Sequence, residues 1–257
     1  MKKISILIPC FNEEMGIGKV IDRIPNDLLR TRNYEFEVIV IDNNSQDNTA
    51  AIALAHGARV VFEEKKGKGN AIRKAFSMID QKTHYVVMLD GDHTYDLQEI
   101  LRLIEPLDSG FCDVIIGSRL SGKSYRDAFK FQNRVLNWGF AFLVRRFYRA
   151  NITDALSGYY AWRREVIEDL RLHLQSGGFS IEMEMITKMV KLGYSIYSVP
   201  ISFMKREGEK KIRITDAFYI IHTFLTNMFW TPKKRSDKDA KAMIDDLTII
   251  ESHYEKS

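Results

Sequence analysis

The sequence predicts an α/β fold with a mostly parallel central sheet that carries helices on both faces. Over the first 118 residues, short apolar runs rich in Val and Ile alternate with segments of helical pattern. The runs are apolar on both faces, which is typical of strands buried under helices on either side. With 257 residues, 45% of them hydrophobic, the chain can form one such domain and an appendage.

Five strands and four helices are predicted in this region, in alternating order. Each strand is a short run rich in β-branched residues. These runs occupy residues 4–8, 36–41, 59–62, 85–89 and 113–116. Each helix shows apolar residues at helical spacing. These segments lie near residues 17–29, 47–56, 69–79 and 97–107. Further along, the pattern predicts C-terminal amphipathic helices.

Composition excludes several classes of protein. The two cysteines, Cys10 and Cys112, are too few for a disulfide scaffold or a structural zinc site, so buried free thiols are expected. No apolar stretch reaches the roughly 18 residues that would span a bilayer. The apolar start resembles a signal peptide, but Asn12 and Glu13 end it too early. We therefore expect an intracellular protein, soluble or peripheral to a membrane.

Polar segments follow four of the five predicted strands. In a parallel sheet, ligands bind beyond the carboxyl ends of the strands, so these segments are expected to share one rim. They comprise residues 9–14, 42–49, 90–93 and 117–119. The glycines at 16–18 and 67–69 fit neither a dinucleotide fingerprint nor a P-loop. Any phosphate at this rim must therefore be bound through a metal ion and Arg or Lys side chains.

Two carboxylates, Asp90 and Asp92, stand one residue apart at the end of the fourth strand. Gly91 between them lets the backbone turn, so that both can face one cation. Hard oxygen ligands with open positions suit Mg²⁺ or Mn²⁺ shared with a substrate diphosphate. The alternative is an ordinary turn, since two such aspartates are common in loops.

Two stretches concentrate positive charge. Residues 119–149 contain eight Lys or Arg against one acid, and residues 205–213 contain five against two. A localised basic surface predicts an anionic partner such as phosphate or acidic lipid, unless it is only a solvated helix face. Nucleic acid is disfavoured as that partner, because neither stretch falls in a recognisable nucleic-acid module.

Taken together, these motifs resemble glycosyltransferase family 2, with its GT-A type nucleotide-diphospho-sugar transferase fold. The resemblance is carried by residues 6–14, 42–49, 67–71, 89–92, 117–119, 154–159 and 191–194. Within the family, the chain is most similar to polyprenyl-phosphate (dolichyl-phosphate) hexose synthases. The resemblance implies a catalytic domain at residues 1–212, followed at 213–257 by an amphipathic interfacial helix and a charged helical tail.

The resemblance also implies a donor site. Its residues would line the nucleotide pocket, hold the diphosphate with Mg²⁺ or Mn²⁺, or close over the donor on a mobile loop. They are Pro9, Asn12, Glu13, Asp42, Lys68, Gly69, Asp90, Gly91, Asp92, Lys205 and Arg206. Alternatively, Asp42 only stabilises its loop, and Lys68, Lys205 and Arg206 are solvated charges. Thr94 stands where dolichyl-phosphate mannose synthases can carry Gln, so water or His93 would complete the metal site.

On the acceptor side, Arg119 and Arg134 would clamp a lipid phosphate, and Ser157 and Gly158 would shape the pocket. The implied reaction is a single inverting displacement, with Asp92, Arg119 and Arg134 as the catalytic residues. A phosphate monoester is already anionic near neutral pH and requires no general base. A hydroxyl acceptor would require one, and Asp154 and Glu182 are the candidates unless they are a loop cap and a helix-face charge.

Two segments predict contact with a membrane surface. Residues 214–231 alternate apolar and polar faces at helical spacing, and residues 135–144 are mostly apolar and bracketed by arginines. We expect peripheral attachment to the cytoplasmic face of a membrane; core or dimer-interface helices, and thus a homo-oligomer, are the alternative.

The predicted reaction moves a hexose or N-acetylhexosamine from a nucleotide sugar to a polyprenyl phosphate. A UDP-sugar is favoured over a GDP-sugar as the donor. The alternatives are a glycan or protein hydroxyl acceptor, or a nucleotide-sugar-binding subunit without catalysis.

Overall fold

The computed structural model describes residues 1–125, 128–206 and 214–232. Its centre is a seven-stranded sheet in the order β3-β2-β1-β4-β6-β5-β7. The strands are β1 Lys2–Cys10, β2 Tyr34–Asp42, β3 Arg59–Phe62, β4 Thr83–Met88, β5 Val114–Ser118, β6 Tyr160–Arg163 and β7 Ile196–Pro200. The five strands expected from the sequence are present, and each overlaps its predicted range.

All strand pairs in the sheet are parallel except those made by β6. This strand runs antiparallel to both of its neighbours, β4 and β5. Neither β6 nor β7 was predicted. β6 has only four residues, and β7 is largely half-buried, so neither shows a continuous apolar run. The prediction of a mostly parallel sheet is nevertheless confirmed.

Nine α-helices surround the sheet within the described residues. They are α1 Ile17–Asp22, α2 Asn26–Thr31, α3 Thr49–Ala55, α4 Lys68–Ser77, α5 Ile100–Asp108, α6 Phe131–Tyr148, α7 Arg164–Leu170, α8 Ile181–Lys191 and α9 Ile214–Phe229. A 3₁₀ turn at Leu97–Glu99 precedes α5. The expectation of one helix over 17–29 was wrong: Pro25, which precedes α2, disfavours helical backbone at the residue before it and supplies no N–H.

The core lies in two layers, one on each face of the sheet. Side chains alternate between the layers along β1: Ile6 and Ile8 pack with α1 and α5, whereas Leu7 packs on the face that carries α4, α6, α7 and α8. The helices therefore cover both faces, as predicted. Cys10 and Cys112 are buried free thiols, also as predicted.

Helix α9 differs from its predicted arrangement. Ile220, Phe224 and Asn227 form its buried face, and Asn227 donates to Thr187 Oγ1 of α8 at 2.8 Å. The exposed apolar side chains, among them Phe218 and Phe229, lie on a different face. The sequence pattern predicted a single apolar face for residues 214–231, and Phe218 and Phe224 were both among its apolar residues. Composition alone does not reveal which apolar residues of this helix meet α8.

Helix α6 leaves one face uncovered. Phe131, Val135, Trp138 and Phe142 are exposed at helical spacing along it. Throughout the described ranges, 1–125, 128–206 and 214–232, every helix is too short or too polar to traverse a lipid bilayer. The predicted charged tail at 236–257 and most of the basic stretch at 205–213 lie outside the described residues.

Candidate active site

The predicted rim forms at the carboxyl ends of β1, β2, β4 and β5. Because β6 runs antiparallel, its beginning lies at the same rim, which brings residues 157–159 next to the loop after β4. The loop after β7 returns to the rim through Met204, whose backbone N–H donates to the Thr94 carbonyl at 2.8 Å. The rim thus gathers residues from six loops.

The loops after β1 and β2 are bonded to each other. Asn12 accepts from the Gln46 backbone N–H at 2.8 Å, and the backbone N–H of Glu13 donates to Thr49 Oγ1 at 2.8 Å. Asp42 is 5% exposed and accepts from the Ser45 backbone N–H at 3.3 Å, so its carboxylate supports the loop. Pro9, the penultimate residue of β1, pairs with Ile41 of β2. These contacts hold the predicted nucleotide-binding segment in one shape.

Lys68 lies between two carboxylates and is not solvent-facing. Its Nζ atom is 2.7 Å from Asp90 Oδ1 and 2.7 Å from Glu182 Oε1. Burial alone would lower the pKa of Lys68, but Asp90 and Glu182 raise it well above its usual value. Gly69 follows in α4, where a Cβ would lie 2.1 Å from the Ser176 carbonyl oxygen. The close approach of backbone at Gly69 therefore positions Lys68.

A second cation, Arg206, joins the loop after β7 to the rim. It is 2.8 Å from Asp92 Oδ2 and 2.7 Å from Glu13 Oε1. The solvated-charge alternative is therefore wrong for Arg206. The neighbouring Lys205 is exposed, so the structure does not bring it into the rim.

The two aspartates of the predicted metal site differ in electrostatic environment. Burial would raise the pKa of Asp90, but Lys68, Arg206 and Arg119 together outweigh burial and hold this pKa below its usual range. Burial and the charge of Asp90 raise the pKa of Asp92, against the effect of Arg206. Negative charge is thus concentrated at this point and balanced by the side-chain cations of Lys68 and Arg206.

Asp90 and Asp92 fit a divalent cation as a partial ligand set. No group of three or more His, Cys, Asp or Glu side chains suited to a metal ion occurs among the described residues. Two carboxylates with open positions match a cation that draws its other ligands from a diphosphate and water. Thr94 donates from Oγ1 to Asp92 Oδ1 at 2.6 Å, so it orients this carboxylate.

The part of the rim that was predicted to bind the acceptor, called the acceptor side below, contains a buried ion pair. Arg119 Nε and Nη2 donate to Asp154 at 2.8 and 2.9 Å, and the backbone N–H of Arg119 donates to the same carboxylate at 3.0 Å. Burial would raise the pKa of Asp154, but Arg119 holds it below its usual range. Asp154 also accepts from the Leu156 backbone N–H at 3.2 Å. It therefore caps its loop, the structural alternative considered from the sequence.

Glu182 is not the exposed helix-face charge that the sequence allowed. It is 4% exposed at the beginning of α8, with one oxygen paired to Lys68. Its other oxygen, Oε2, is buried without a hydrogen-bond partner among the described residues. Burial outweighs the effect of Lys68 and raises the pKa of Glu182.

Ser157 and Gly158 link the acceptor side to the aspartates. Ser157 Oγ donates to the Gly117 carbonyl at 2.6 Å, and the Gly158 backbone N–H donates to the Tyr95 hydroxyl at 2.8 Å. A Cβ at Gly158 would lie 2.3 Å from Asp90 Oδ2, so the chain passes directly against that carboxylate. Arg134 is exposed at the beginning of α6, and its side chain has no ion pair with the described residues.

Residues 5–171 match the family model described as glycosyl transferase family 2. The chain belongs to glycosyltransferase family 2. The fold is of the GT-A type, as expected, and the activity of this family is glycosyl transfer.

Two of the relatives of this family 2 transferase come from Haloferax volcanii. Glycosyltransferase AglJ is 35% identical over 206 residues, which is 79% of this chain and 63% of AglJ. A dolichyl-phosphate hexose transferase is 30% identical over 209 residues, which is 81% of this chain and 86% of that protein. The match thus spans less than two thirds of AglJ but most of the second relative.

Among solved structures, the family 2 transferase resembles glucosyl-3-phosphoglycerate synthase from Mycobacterium tuberculosis. The two share 25% sequence identity and a TM-score of 0.68, over 91% of this chain and 80% of that chain. That synthase was crystallised with Mn²⁺, UDP and phosphoglyceric acid.

Two buried polar residues of the family 2 transferase site were missed from the sequence. Tyr95 is 2% exposed, and burial raises the pKa of its hydroxyl to about 12. Asn137, which is 1% exposed, reaches the acceptor side from α6. A lone Asn within an apolar helical segment was the available signal, but the sequence did not show which face of α6 is buried.

Proposed function

We propose that the chain transfers a hexose or N-acetylhexosamine, with inversion, from a nucleotide-diphosphate sugar to a polyprenyl phosphate at a membrane surface. A divalent cation, Mg²⁺ or Mn²⁺, would be held by Asp90 and Asp92 and would stabilise charge on the departing nucleoside diphosphate. A UDP-sugar is favoured over a GDP-sugar, since the structural relative with 25% identity binds UDP with Mn²⁺.

The arrangement of cations supports the donor assignment. Lys68 and Arg206 neutralise Asp90 and Asp92 through ion pairs of 2.7 and 2.8 Å. A bound divalent cation would neutralise the two aspartates in place of Lys68 and Arg206. The two basic side chains could then turn to the oxygens of the donor diphosphate. Neither residue then has to leave the rim, because both already lie within contact distance of the two aspartates.

The single observation that carries the acceptor assignment is the Arg119–Asp154 pair. Asp154 is fully buried and accepts hydrogen bonds on both oxygens, so it is a poor general base. A phosphate acceptor needs none, because its oxygen is already anionic near neutral pH. Arg119 Nη1 hydrogen bonds to no described residue, which leaves one guanidinium nitrogen for such an anion. The 30% identical dolichyl-phosphate hexose transferase supports the same acceptor class.

The exposed faces of α6 and α9 support attachment to a membrane. Trp138 and Phe142 on α6 stack with ring centroids 5.9 Å apart and are 58% and 48% exposed. The two helices are in contact, since the ring centroids of Tyr148 on α6 and Phe224 on α9 lie 5.3 Å apart. Exposed aromatic side chains next to arginines suit the lipid headgroup layer.

Release of nucleoside diphosphate tests the function. UDP- and GDP-sugars would be supplied with Mn²⁺ or Mg²⁺, with and without a polyprenyl phosphate in detergent, and Asp92→Asn would serve as the control. We expect release that requires the lipid and falls by about a hundredfold or more in Asp92→Asn, since charge stabilisation at the leaving group is lost.

The other outcomes assign other functions. Release that is independent of lipid would indicate a hydroxyl acceptor, for which Glu182 is a better base than Asp154 because its pKa is raised and one oxygen lacks a partner. Metal-dependent UDP binding without any release would identify a nucleotide-sugar-binding subunit and contradict the proposal.

Membrane attachment is tested by replacing the stacked aromatic pair on α6. Burying each ring in the interface contributes about 1.5–3 kcal/mol, so Trp138→Gln with Phe142→Gln should weaken vesicle binding by about tenfold or more. The measurement is co-sedimentation with vesicles of phosphatidylcholine and phosphatidylglycerol. Phe62→Gln with Phe111→Gln is the matched control, because these rings are 58% and 63% exposed and lie on other elements. Equal binding by the two double variants would contradict attachment through α6.

A further inference from the structure

Asn137 is a buried amide on an apolar helix face. The inner face of α6 is formed by Asn137 with Phe140, Ala141 and Val144, all at most 4% exposed. Burying an amide without hydrogen bonds costs about 1–3 kcal/mol, so an apolar side chain would be the ordinary choice here. Packing alone therefore does not explain why an amide side chain occupies position 137.

Within the described part of the chain, the hydrogen bonds of this amide all go to the loop at residues 154–156. Its Nδ2 donates to Asp154 Oδ1 at 2.6 Å, and its Oδ1 accepts from the backbone N–H groups of Ala155 and Leu156 at 3.0 and 3.2 Å. One side chain thus holds both the carboxylate of Asp154 and the backbone of the two residues that follow it. The loop cannot shift without breaking several buried hydrogen bonds.

Asp154 in turn fixes the guanidinium of Arg119. It accepts from Nε and Nη2, and Nη2 also donates to the Leu156 carbonyl. The guanidinium lies 5.0 Å from the ring centroid of Phe129 and 5.4 Å from that of Phe203. These contacts use two of its three nitrogens and leave Nη1 without a partner among the described residues.

We propose that Asn137 is the positioning residue for Arg119, acting through Asp154 to aim the remaining guanidinium nitrogen at the acceptor phosphate. This inference rests on the proposed function. Because Asn137 belongs to α6, the helix whose outer face carries Trp138 and Phe142, the acceptor site is tied to the surface where a lipid phosphate would arrive.

The test compares Asn137→Leu with Asn227→Leu. Both variants remove a buried amide from a helix with an exposed apolar face, but Asn227 donates to Thr187 of α8 and not to the rim. Three quantities are measured: the KM for polyprenyl phosphate, the Kd for UDP with Mn²⁺, and the ¹⁵N NMR signal of Arg119 Nε, identified by its loss in Arg119→Lys.

For Asn137→Leu we expect the acceptor KM to rise by about tenfold or more, because Asp154 loses one of its donors and the Ala155 backbone N–H loses its acceptor. The loop then no longer holds the Asp154 carboxylate, and with it the arginine, in one orientation. The Kd for UDP should stay unchanged, and the Arg119 Nε signal should shift or broaden. Asn227→Leu should leave the acceptor KM and the Nε signal as in the wild type.

Three results would overturn the inference. They are equal effects of the two variants on acceptor KM, a parallel loss of UDP affinity in Asn137→Leu, and an unchanged Nε signal. Failure of the proposed function is seen separately, as wild-type protein that shows no lipid-dependent release. The NMR comparison still decides in that case whether Asn137 positions Arg119.

Discussion

Gly158→Ala is expected to abolish sugar transfer while the chain stays folded. The added Cβ would lie 2.3 Å from Oδ2 and 2.7 Å from Cγ of Asp90, far inside van der Waals contact. The Asp90 side chain can turn away, but it then loses its ion pair with Lys68 and no longer faces the proposed cation site together with Asp92. A displacement of about 1 Å at a reacting centre costs about a hundredfold in rate, so we expect kcat/KM to fall at least that far.

Gly178→Ala is the matched control for this change. Gly178 lies in the loop before α8, and a Cβ there meets no atom within 4 Å. Metal-dependent release of nucleoside diphosphate and the Kd for UDP with Mn²⁺ would be measured for both variants, together with the melting temperature. If Gly158→Ala retained Mn²⁺-dependent UDP binding and wild-type turnover, Asp90 would not act at the donor site.

Arg119→Leu is expected to lose both activity and stability, and a second substitution separates the two effects. Arg119 is the cation that pairs with the fully buried Asp154. Removing one partner of a buried ion pair leaves an uncompensated charge and costs about 3–5 kcal/mol. Arg119→Leu with Asp154→Asn removes that charge but keeps an oxygen for the backbone N–H of residue 119. We therefore expect the double variant to recover most of the stability and none of the lipid-dependent turnover.

Denaturant unfolding and nucleoside diphosphate release are the two measurements for this pair. An equal loss of unfolding free energy in both variants would show that Asp154 is not the charge that Arg119 compensates. Lipid-dependent turnover that survives in Arg119→Leu would remove this arginine from the acceptor site. Arg134→Leu is the comparison for the unfolding free energy, because Arg134 is exposed and its loss leaves no buried charge.

The donor half of the site could be predicted from sequence because it depends on local patterns. Apolar runs define β1, β2 and β4, and the polar residues directly after them must meet at one rim. Asp90 and Asp92 lie together for this reason, and Glu13 lies near them. The chemical type of each residue and its position after a strand were sufficient.

The acceptor half depends on contacts between distant segments, which the sequence pattern does not show. Arg119 pairs with Asp154 across 35 positions of the chain, and Asn137 reaches Asp154 only because of the rotation of α6 about its axis. The buried face of α9 was misassigned for a similar reason, since both of its faces carry apolar residues. Rotation of a helix about its axis is set by its packing partners and not by composition.

The antiparallel strand β6 has a consequence for the order in which the chain can fold. Strands β3, β2, β1 and β4 pair with one another, whereas β5 pairs only with β6 and β7. During synthesis, the four-stranded parallel unit can form once residue 88 has emerged, but β5 has no sheet partner until residues 160–163 follow. Pairing of β5 with β6 joins segments that are far apart in the sequence, so we expect it to be the slow step of folding. The nucleotide-binding half of the sheet would thus assemble first. The four residues of β6 would then join the acceptor half to it by pairing with both β4 and β5.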